Sequence, residues 1–231
     1  MKRVKFLIMT FSALLTLCIA PAWAGPLTEQ IKVAINKVIR ILEDPALKPE
    51  SKTKERRAAI RVAANEIFDF AESAKRSLSR HWQERTAEER EEFIKLFGDL
   101  LERAYISQIE HYGGEKIVFT GESVDGNQAT VKTKITTKSG TVILIDYRML
   151  LRGDRFLIYD VSFDGVSLIA NYRNQFNKII QTSPYQELIK KMKSKLEELA
   201  AGKDRTVPSP GQGTSVPLAA AMPAPRVSRA D

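Results

Sequence analysis

Residues 159–176 read YDVSFDGVSLIANYRNQF and join the last strand of a predicted sheet to the helix that follows it. The first half of this stretch alternates as a strand does and ends at Gly165, whereas its second half has the spacing of a helix. Ser167 has a side chain that can cap the first turn of that helix. The apolar residues then recur at helical spacing, toward the sheet: Val166, Ile169, Tyr172 and Phe176. The stretch therefore predicts a strand, a tight turn and an amphipathic helix that packs on a sheet.

The strand in this stretch is the last of four. Alternating segments cover residues 116–123, 129–138, 141–151 and 155–163, with turn residues such as Asp125-Gly126 and Ser139-Gly140 between them. Such short connections predict an antiparallel meander. Alternation also predicts an apolar face, which carries Ile143, Ile145, Tyr147, Met149 and Leu151 from the third strand and Leu157, Tyr159, Val161 and Phe163 from the fourth.

Helical periodicity flanks the strands on both sides. Three helices are predicted before them, over residues 27–42, 51–81 and 87–112, and two after them, over 167–181 and 185–201. Thr86 and Glu89 have the spacing of a capping box at the start of the third helix, which Gly113-Gly114 would end. That helix presents Phe93, Phe97 and Leu101 on its apolar side. We expect an α+β fold: a curved, antiparallel, four-stranded sheet packed by N-terminal and C-terminal helices.

The two ends of the chain are predicted to lie outside this fold. Residues 1–24 have three basic residues, an apolar run too short to span a bilayer and small residues at 22 and 24, the pattern of a cleaved secretory signal peptide. Residues 203–231 hold five of the ten prolines and no apolar period, which predicts a disordered tail. Three of the eight excess positive charges lie in the leader and two in the tail, so the domain of residues 25–202 is only about +3. That charge gives little support to nucleic-acid binding.

Most catalytic chemistry is excluded by what the sequence lacks. The only cysteine, Cys18, is in the leader, and two histidines are too few for a His-rich metal centre. Asp146-Tyr147 and Tyr159-Asp160 lie on neighbouring predicted strands, and an aspartate beside a tyrosine in a pocket can abstract a proton. Alternation, however, puts each aspartate on the opposite sheet face from its adjacent tyrosine. We expect these acids to pair with Arg148 or Arg173. No catalytic residue, metal site or cofactor is predicted.

Several motifs together resemble the MlaC family of periplasmic phospholipid-binding proteins. The family's Y-D-V strand, G-V-S turn and Y-R-x-x-F helix match residues 159–161, 165–167 and 172–176. Phe68-Asp69-Phe70 and Tyr112-Gly113-Gly114 match as well, and the similarity extends over about residues 27–200. The chain departs from the family pattern where Ser79 replaces a small glycine and where Arg155-Phe156 replaces a tryptophan at the start of the last strand.

The resemblance implies a carrier that moves phospholipid through the periplasm, between an inner-membrane ABC transporter with its MCE-domain subunit and an outer-membrane lipoprotein complex. It also implies an apolar cavity, which we expect in an NTF2-like arrangement of the sheet and helices. The lipid contacts would come from both layers: Phe93, Phe97, Leu101, Ile143, Ile145, Tyr147, Met149, Tyr159, Val161, Phe163, Val166, Ile169, Tyr172 and Phe176. Arg173 is the candidate for the headgroup.

Periodicity alone does not distinguish a lipid cavity from a filled core, because both need the same apolar residues. Two other functions therefore stay open. The same fold could carry a different apolar ligand, such as a hopanoid, or the chain could be an enzyme or docking module whose pocket is too small for an acyl chain.

Overall fold

The computed structural model describes residues 25–201. The predicted signal peptide and the predicted tail lie outside the described residues and stay predictions. The described chain is α+β, as expected. Its six helices are α1 (Pro26–Glu43), α2 (Thr53–Asn65), α3 (Phe70–Leu78), α4 (Ala87–Glu110), α5 (Leu168–Thr182) and α6 (Tyr185–Ala200), and short 3-10 turns cover Glu50–Lys52 and Ser79–Trp82.

The sheet has five strands instead of the four predicted. The strands are β1 (Lys116–Asp125), β2 (Gln128–Thr136), β3 (Val142–Arg152), β4 (Arg155–Phe163) and β5 (Val166–Ser167), and they follow one another in an antiparallel meander. The extra strand arises because Asp164 and Gly165 both take positive φ, which turns the chain straight back onto Phe163. Val166 is therefore a strand residue that is 48% exposed, and the prediction that it packs toward the sheet at the spacing of the helix was wrong.

The long helix predicted over residues 51–81 is broken, because the chain between its halves pairs with the sheet. Ile158 donates its N–H to the carbonyl of Ile67 at 2.8 Å, and Asp69 donates to the carbonyl of Ile158 at 2.7 Å. Asp69 then caps α3 by accepting the N–H of Glu72. Helical periodicity carries through this break, since the apolar residues on both sides face the interior.

Alternation holds along β3 but not along β4. Ile143, Ile145 and Met149 are buried, although Leu151 at the strand end is 36% exposed. In β4, Asp160 pairs with Arg148 while Ile158 pairs with Met149, so Tyr159 is the extra residue of a β-bulge. The bulge leaves Ile158 and Val161 in the cluster on the α1 side of the sheet. Tyr159 and Asp160 both face α3 and α5, and the prediction that they lie on opposite faces was wrong.

The capping box predicted for α4 is confirmed. Thr86 accepts the N–H of Glu89 at 3.2 Å, and the Glu89 carboxylate accepts the N–H of Thr86 at 3.0 Å. The helix ends at Glu110, earlier than the Gly113-Gly114 stop, with His111 as its C-cap. Glu110 accepts from both Arg56 and Arg57, which ties the end of α4 to α2.

Ser79 sits in a backbone conformation that favours glycine, with φ 53° and ψ −123°. A non-glycine residue there strains the backbone, since Cβ crowds the adjacent peptide. We expect Ser79→Gly to raise the free energy of unfolding by about 1 kcal/mol, the relief of strain less the greater chain entropy of glycine. Urea unfolding measures the change, with Ser79→Ala as the control. A Ser79→Gly protein no more stable than Ser79→Ala would show that the position is not strained.

Candidate functional site

Twelve of the fourteen residues predicted to contact lipid fall into two apolar clusters, and Tyr159 and Val166 lie in neither. One, the sheet cluster, combines Ile143, Ile145, Met149 and Val161 with Leu27 and Ile31 of α1, and Tyr147 and Phe163 pack against it. The other, the helix cluster, combines Phe93, Phe97, Ile169, Tyr172 and Phe176 with Leu188 and Met192 of α6, and Leu101 packs against it. Both sets were predicted to surround one space. In the structure, residues of α1 pack with the first set and residues of α6 with the second.

The aromatic rings of the helix cluster fill the space between α4 and α5. Phe97 meets Tyr172 edge-on at 5.1 Å between ring centroids and Phe176 at 5.7 Å. Phe93 lies 5.8 Å from Phe97 and 5.7 Å from Phe176. Distances in this range are those of packed aromatic pairs, so these rings contact one another.

The two clusters meet where Tyr105 of α4 stacks on Phe163 of β4. Their rings are nearly parallel, with centroids 6.2 Å apart and an interplanar angle of 8°. Both residues are only half-buried, and so are the neighbouring cluster residues Leu101 and Tyr147. We call this contact, with Leu101 and Tyr147, the seam. Tyr105 was not among the predicted lipid contacts, and its place at helical spacing four residues after Leu101 was the signal that could have found it.

Buried hydroxyl groups face the interior beside the seam. The hydroxyls of Tyr105 and Tyr172 are shielded from water and have no hydrogen-bond partner in the described chain. Burial raises the pKa of both phenols, and that of Tyr105 is raised further by Tyr172 nearby. Burial also raises the pKa of Tyr147, against the opposing effect of a hydrogen bond with Thr133. All three phenols are thus neutral donors at any physiological pH, and two of them can still donate to a ligand.

A polar cleft of about 300 Å³ lies on the other side of β4, between α3 and α5. We call it the α3–α5 cleft. Of the predicted residues it brings together Tyr159, Ile169 and Arg173, and it also holds Lys75, Arg76 and Arg148. Arg76 lies over the Tyr159 ring at 4.0 Å, and Asp160 bonds Arg148 at 3.3 Å, as the sequence suggested. The guanidinium of Arg173 has no hydrogen bond or ion pair within residues 25–201, so it does not bind the sheet.

Both histidines of the described chain hydrogen-bond to neighbouring groups. His81 pairs with the side chain of Asn177, and His111 with the carbonyl of Ser107. Residues 25–201 contain no group of three or more His, Cys, Asp or Glu that could hold a metal ion. Within the same residues, no helix is both long enough and apolar enough to cross a bilayer.

Comparison with known proteins agrees with this architecture. A solved structure titled a phospholipid-binding protein from Ralstonia solanacearum, in complex with a phospholipid, superposes with a TM-score of 0.66 at 21% identity, over 74% of this chain and 97% of that one. The intermembrane phospholipid transport system binding protein MlaC of Haemophilus influenzae is 24% identical over 139 residues, which are 57% of this chain and 65% of that relative.

The sequence also matches the family model of the MlaC protein over residues 32–194. That range runs from α1 into α6. It includes the seam, the α3–α5 cleft and the residues named above for both apolar clusters, except Leu27 and Ile31. The order of helices and strands and the motifs of β4 and α5 all lie within it, and the chain belongs to the MlaC family.

Proposed function

We propose that the protein is a carrier of phospholipid, without a chemical step, whose acyl chains lie between the sheet cluster and the helix cluster. The observation that carries the proposal is the seam, where two apolar layers meet through half-buried residues beside phenol hydroxyls that have no partner. An ordinary core satisfies its buried hydroxyls. Family membership and the fold shared with a phospholipid-binding protein support the same conclusion.

The energetics require the layers to separate. Two acyl chains of about 15 carbons represent on the order of 20 kcal/mol of burial, which a carrier must offer to compete with a membrane. Hydrogen bonds to a headgroup cannot replace it, because each contributes only about 1 kcal/mol net. We expect the two layers to separate at the seam, because a single aromatic pair stacks across it. The rings of the helix cluster, by contrast, contact one another on several sides.

In this proposal the lining consists of the seam residues and the parts of both clusters that border them. Ile143, Ile145, Met149 and Val161 would contact the tails from the sheet. Phe93, Phe97 and Phe176 would serve as the packed floor behind the helical wall. Val166 is exposed away from both clusters and is no longer a candidate.

The carrier would work in the periplasm, after export by a cleaved signal peptide. It would take lipid from one membrane complex and deliver it to the other, between an inner-membrane ABC transporter with its MCE-domain subunit and an outer-membrane lipoprotein complex. Docking on either complex would favour an open state that binds lipid less tightly. The name of the Haemophilus relative, a binding protein of an intermembrane transport system, supports this placement.

Native mass spectrometry of the protein purified without detergent tests the proposal. We expect a bound species whose mass matches phospholipid, released intact by organic extraction. A hopanoid or another apolar molecule in its place would assign the second function considered above. Protein from a lipid-replete host that carries no lipid of any kind would contradict the proposal.

A further inference from the structure

We infer that the α3–α5 cleft is a binding site for a phosphate-type anion, held by Lys75, Arg148 and Arg173. These three cations come from three different elements, α3, β3 and α5, and line the same concavity of about 300 Å³. A tetrahedral phosphate accepts hydrogen bonds from several directions at once, which suits donors that surround it better than a planar carboxylate does. The inference deepens the proposed function if the phosphate is that of the cargo lipid.

Two of the three proposed anion ligands have no acidic partner in the described chain. Within residues 25–201 the side chains of Lys75 and Arg173 make no hydrogen bond and no ion pair. Arg148 is 45% exposed and donates one N–H to Asp160, so most of its five N–H donors stay available. By contrast, Arg152 on the same strand as Arg148 is paired with both Asp69 and Glu72. Two cations without an acidic partner, Lys75 and Arg173, thus line the same cleft as Arg148.

The one acid in the cleft does not oppose an anion strongly. Asp160 is 3% exposed and accepts from three donors: the hydroxyl of Ser167 at 2.6 Å, the N–H of Ile169 at 3.1 Å and Arg148 at 3.3 Å. Its negative charge is therefore held below the surface and compensated. Its hydrogen bonds hold Ser167 and Ile169 at the start of α5, the helix that carries Arg173, and it pairs with Arg148.

The walls of the cleft contain aromatic side chains and a strained backbone residue, both of which are common in ligand-binding sites. Trp82 and Tyr159 supply flat aromatic surfaces, and the Arg76 guanidinium lies over the Tyr159 ring. Ser79, in its strained conformation, lines the same cleft. Backbone strain of this kind is retained mostly where a ligand or partner uses the geometry.

Trp82 makes the site directly observable. The chain has two tryptophans, Trp23 in the predicted leader and Trp82 in the cleft, so Trp23→Phe in the full chain leaves Trp82 as the only one. Inorganic phosphate is titrated into this protein at constant ionic strength while tryptophan emission is recorded. We expect a saturable change, and we expect Arg173→Gln or Lys75→Gln to raise the Kd about tenfold or more, because each removes a charge-assisted hydrogen bond.

Lys178→Gln is the matched control. It removes one positive charge from the same helix α5, and Lys178 has no ion pair within residues 25–201 and does not line the cleft. We expect it to leave the Kd within about twofold, since an exposed charge outside the cleft is screened by salt. An emission change that is absent, or that all three variants weaken equally, would overturn the inference.

Two soluble lipids identify the source of the phosphate. Dihexanoyl phosphatidylglycerol and dihexanoylglycerol have the same tails, and only the first has a phosphate. If the Kd of the phosphatidylglycerol is the lower of the two, and Arg173→Gln abolishes the difference, the cleft binds the headgroup phosphate of the cargo. If the two lipids have the same Kd while inorganic phosphate still gives a saturable change in Trp82 emission, the cleft is a site for free phosphate. The proposed function fails on a different result, the absence of co-purified lipid.

Discussion

Phe97→Ala is expected to lower the free energy of unfolding by about 3–5 kcal/mol without abolishing lipid binding by the protein that remains folded. Phe97 is 0% exposed and its ring contacts Phe93, Tyr172 and Phe176. Truncation leaves a cavity among rings that cannot close over it, which is the costliest kind of core substitution. Urea unfolding after lipid extraction gives the stability, and native mass spectrometry gives the lipid content of the folded protein.

Phe163→Ala is the matched control, because it removes the same side chain from the seam. Phe163 is half-buried and stacks on a single ring, that of Tyr105. We expect a smaller loss of stability than for Phe97→Ala, since less apolar surface is buried there, and a larger loss of bound lipid. The reverse pattern, with lipid lost in Phe97→Ala and retained in Phe163→Ala, would place the acyl chains inside the helix cluster and refute the seam.

Asp160→Ala is expected to cost about 3 kcal/mol of stability. The substitution leaves the buried N–H of Ile169 and the hydroxyl of Ser167 without their acceptor and frees Arg148 from its partner. Losing hydrogen bonds to a charged acceptor costs about 1.5–3 kcal/mol, and a buried donor left unpaired adds to the loss. Arg148 contributes little, because it is largely exposed and its ion pair is screened. Urea or thermal unfolding measures the total.

Asp160→Asn separates the hydrogen bonds from the charge. Its amide oxygen can still accept from Ile169, so we expect a loss about half that of Asp160→Ala. Arg148→Gln should then change stability by less than about 1 kcal/mol. If Arg148→Gln were as damaging as Asp160→Ala, the ion pair and not the hydrogen bonds from Ser167 and Ile169 would be the stabilising element.

The order of elements was predictable because it depends on local physics. Periodicity located the helices, short turns located the meander, and Thr86 with Glu89 marked the start of α4. The interruption of the second helix was not predictable, since it depends on Ile67 and Asp69 finding Ile158 about ninety residues later in the chain. The fifth strand was missed for a similar reason: Val166 and Ser167 suit a helix start as well as a short strand, and pairing with β4 decides between them.

The candidate site was predicted in composition but not in arrangement. Ten of the fourteen residues predicted to line the pocket are buried, and twelve of the fourteen divide between two clusters that the sequence could not separate. Alternation failed at Tyr159, where a bulge turns two neighbouring side chains to one face, and this bulge adds Asp160 to the α3–α5 cleft. Tyr105 was not among the predicted lipid contacts, because the sequence pattern of a tyrosine on an apolar stripe is the same whether it packs in a core or at the seam.

The α+β class, the antiparallel meander, the near-neutral charge of the domain and the family resemblance were all predictable, because they follow from residue type and spacing along the chain. The three-dimensional fold was needed to show which apolar residues face one another, where the two layers meet and which cations lack a partner. Those properties depend on contacts between distant segments, on the packing of rings and on the register of the sheet. Residue spacing along the chain does not predict such contacts.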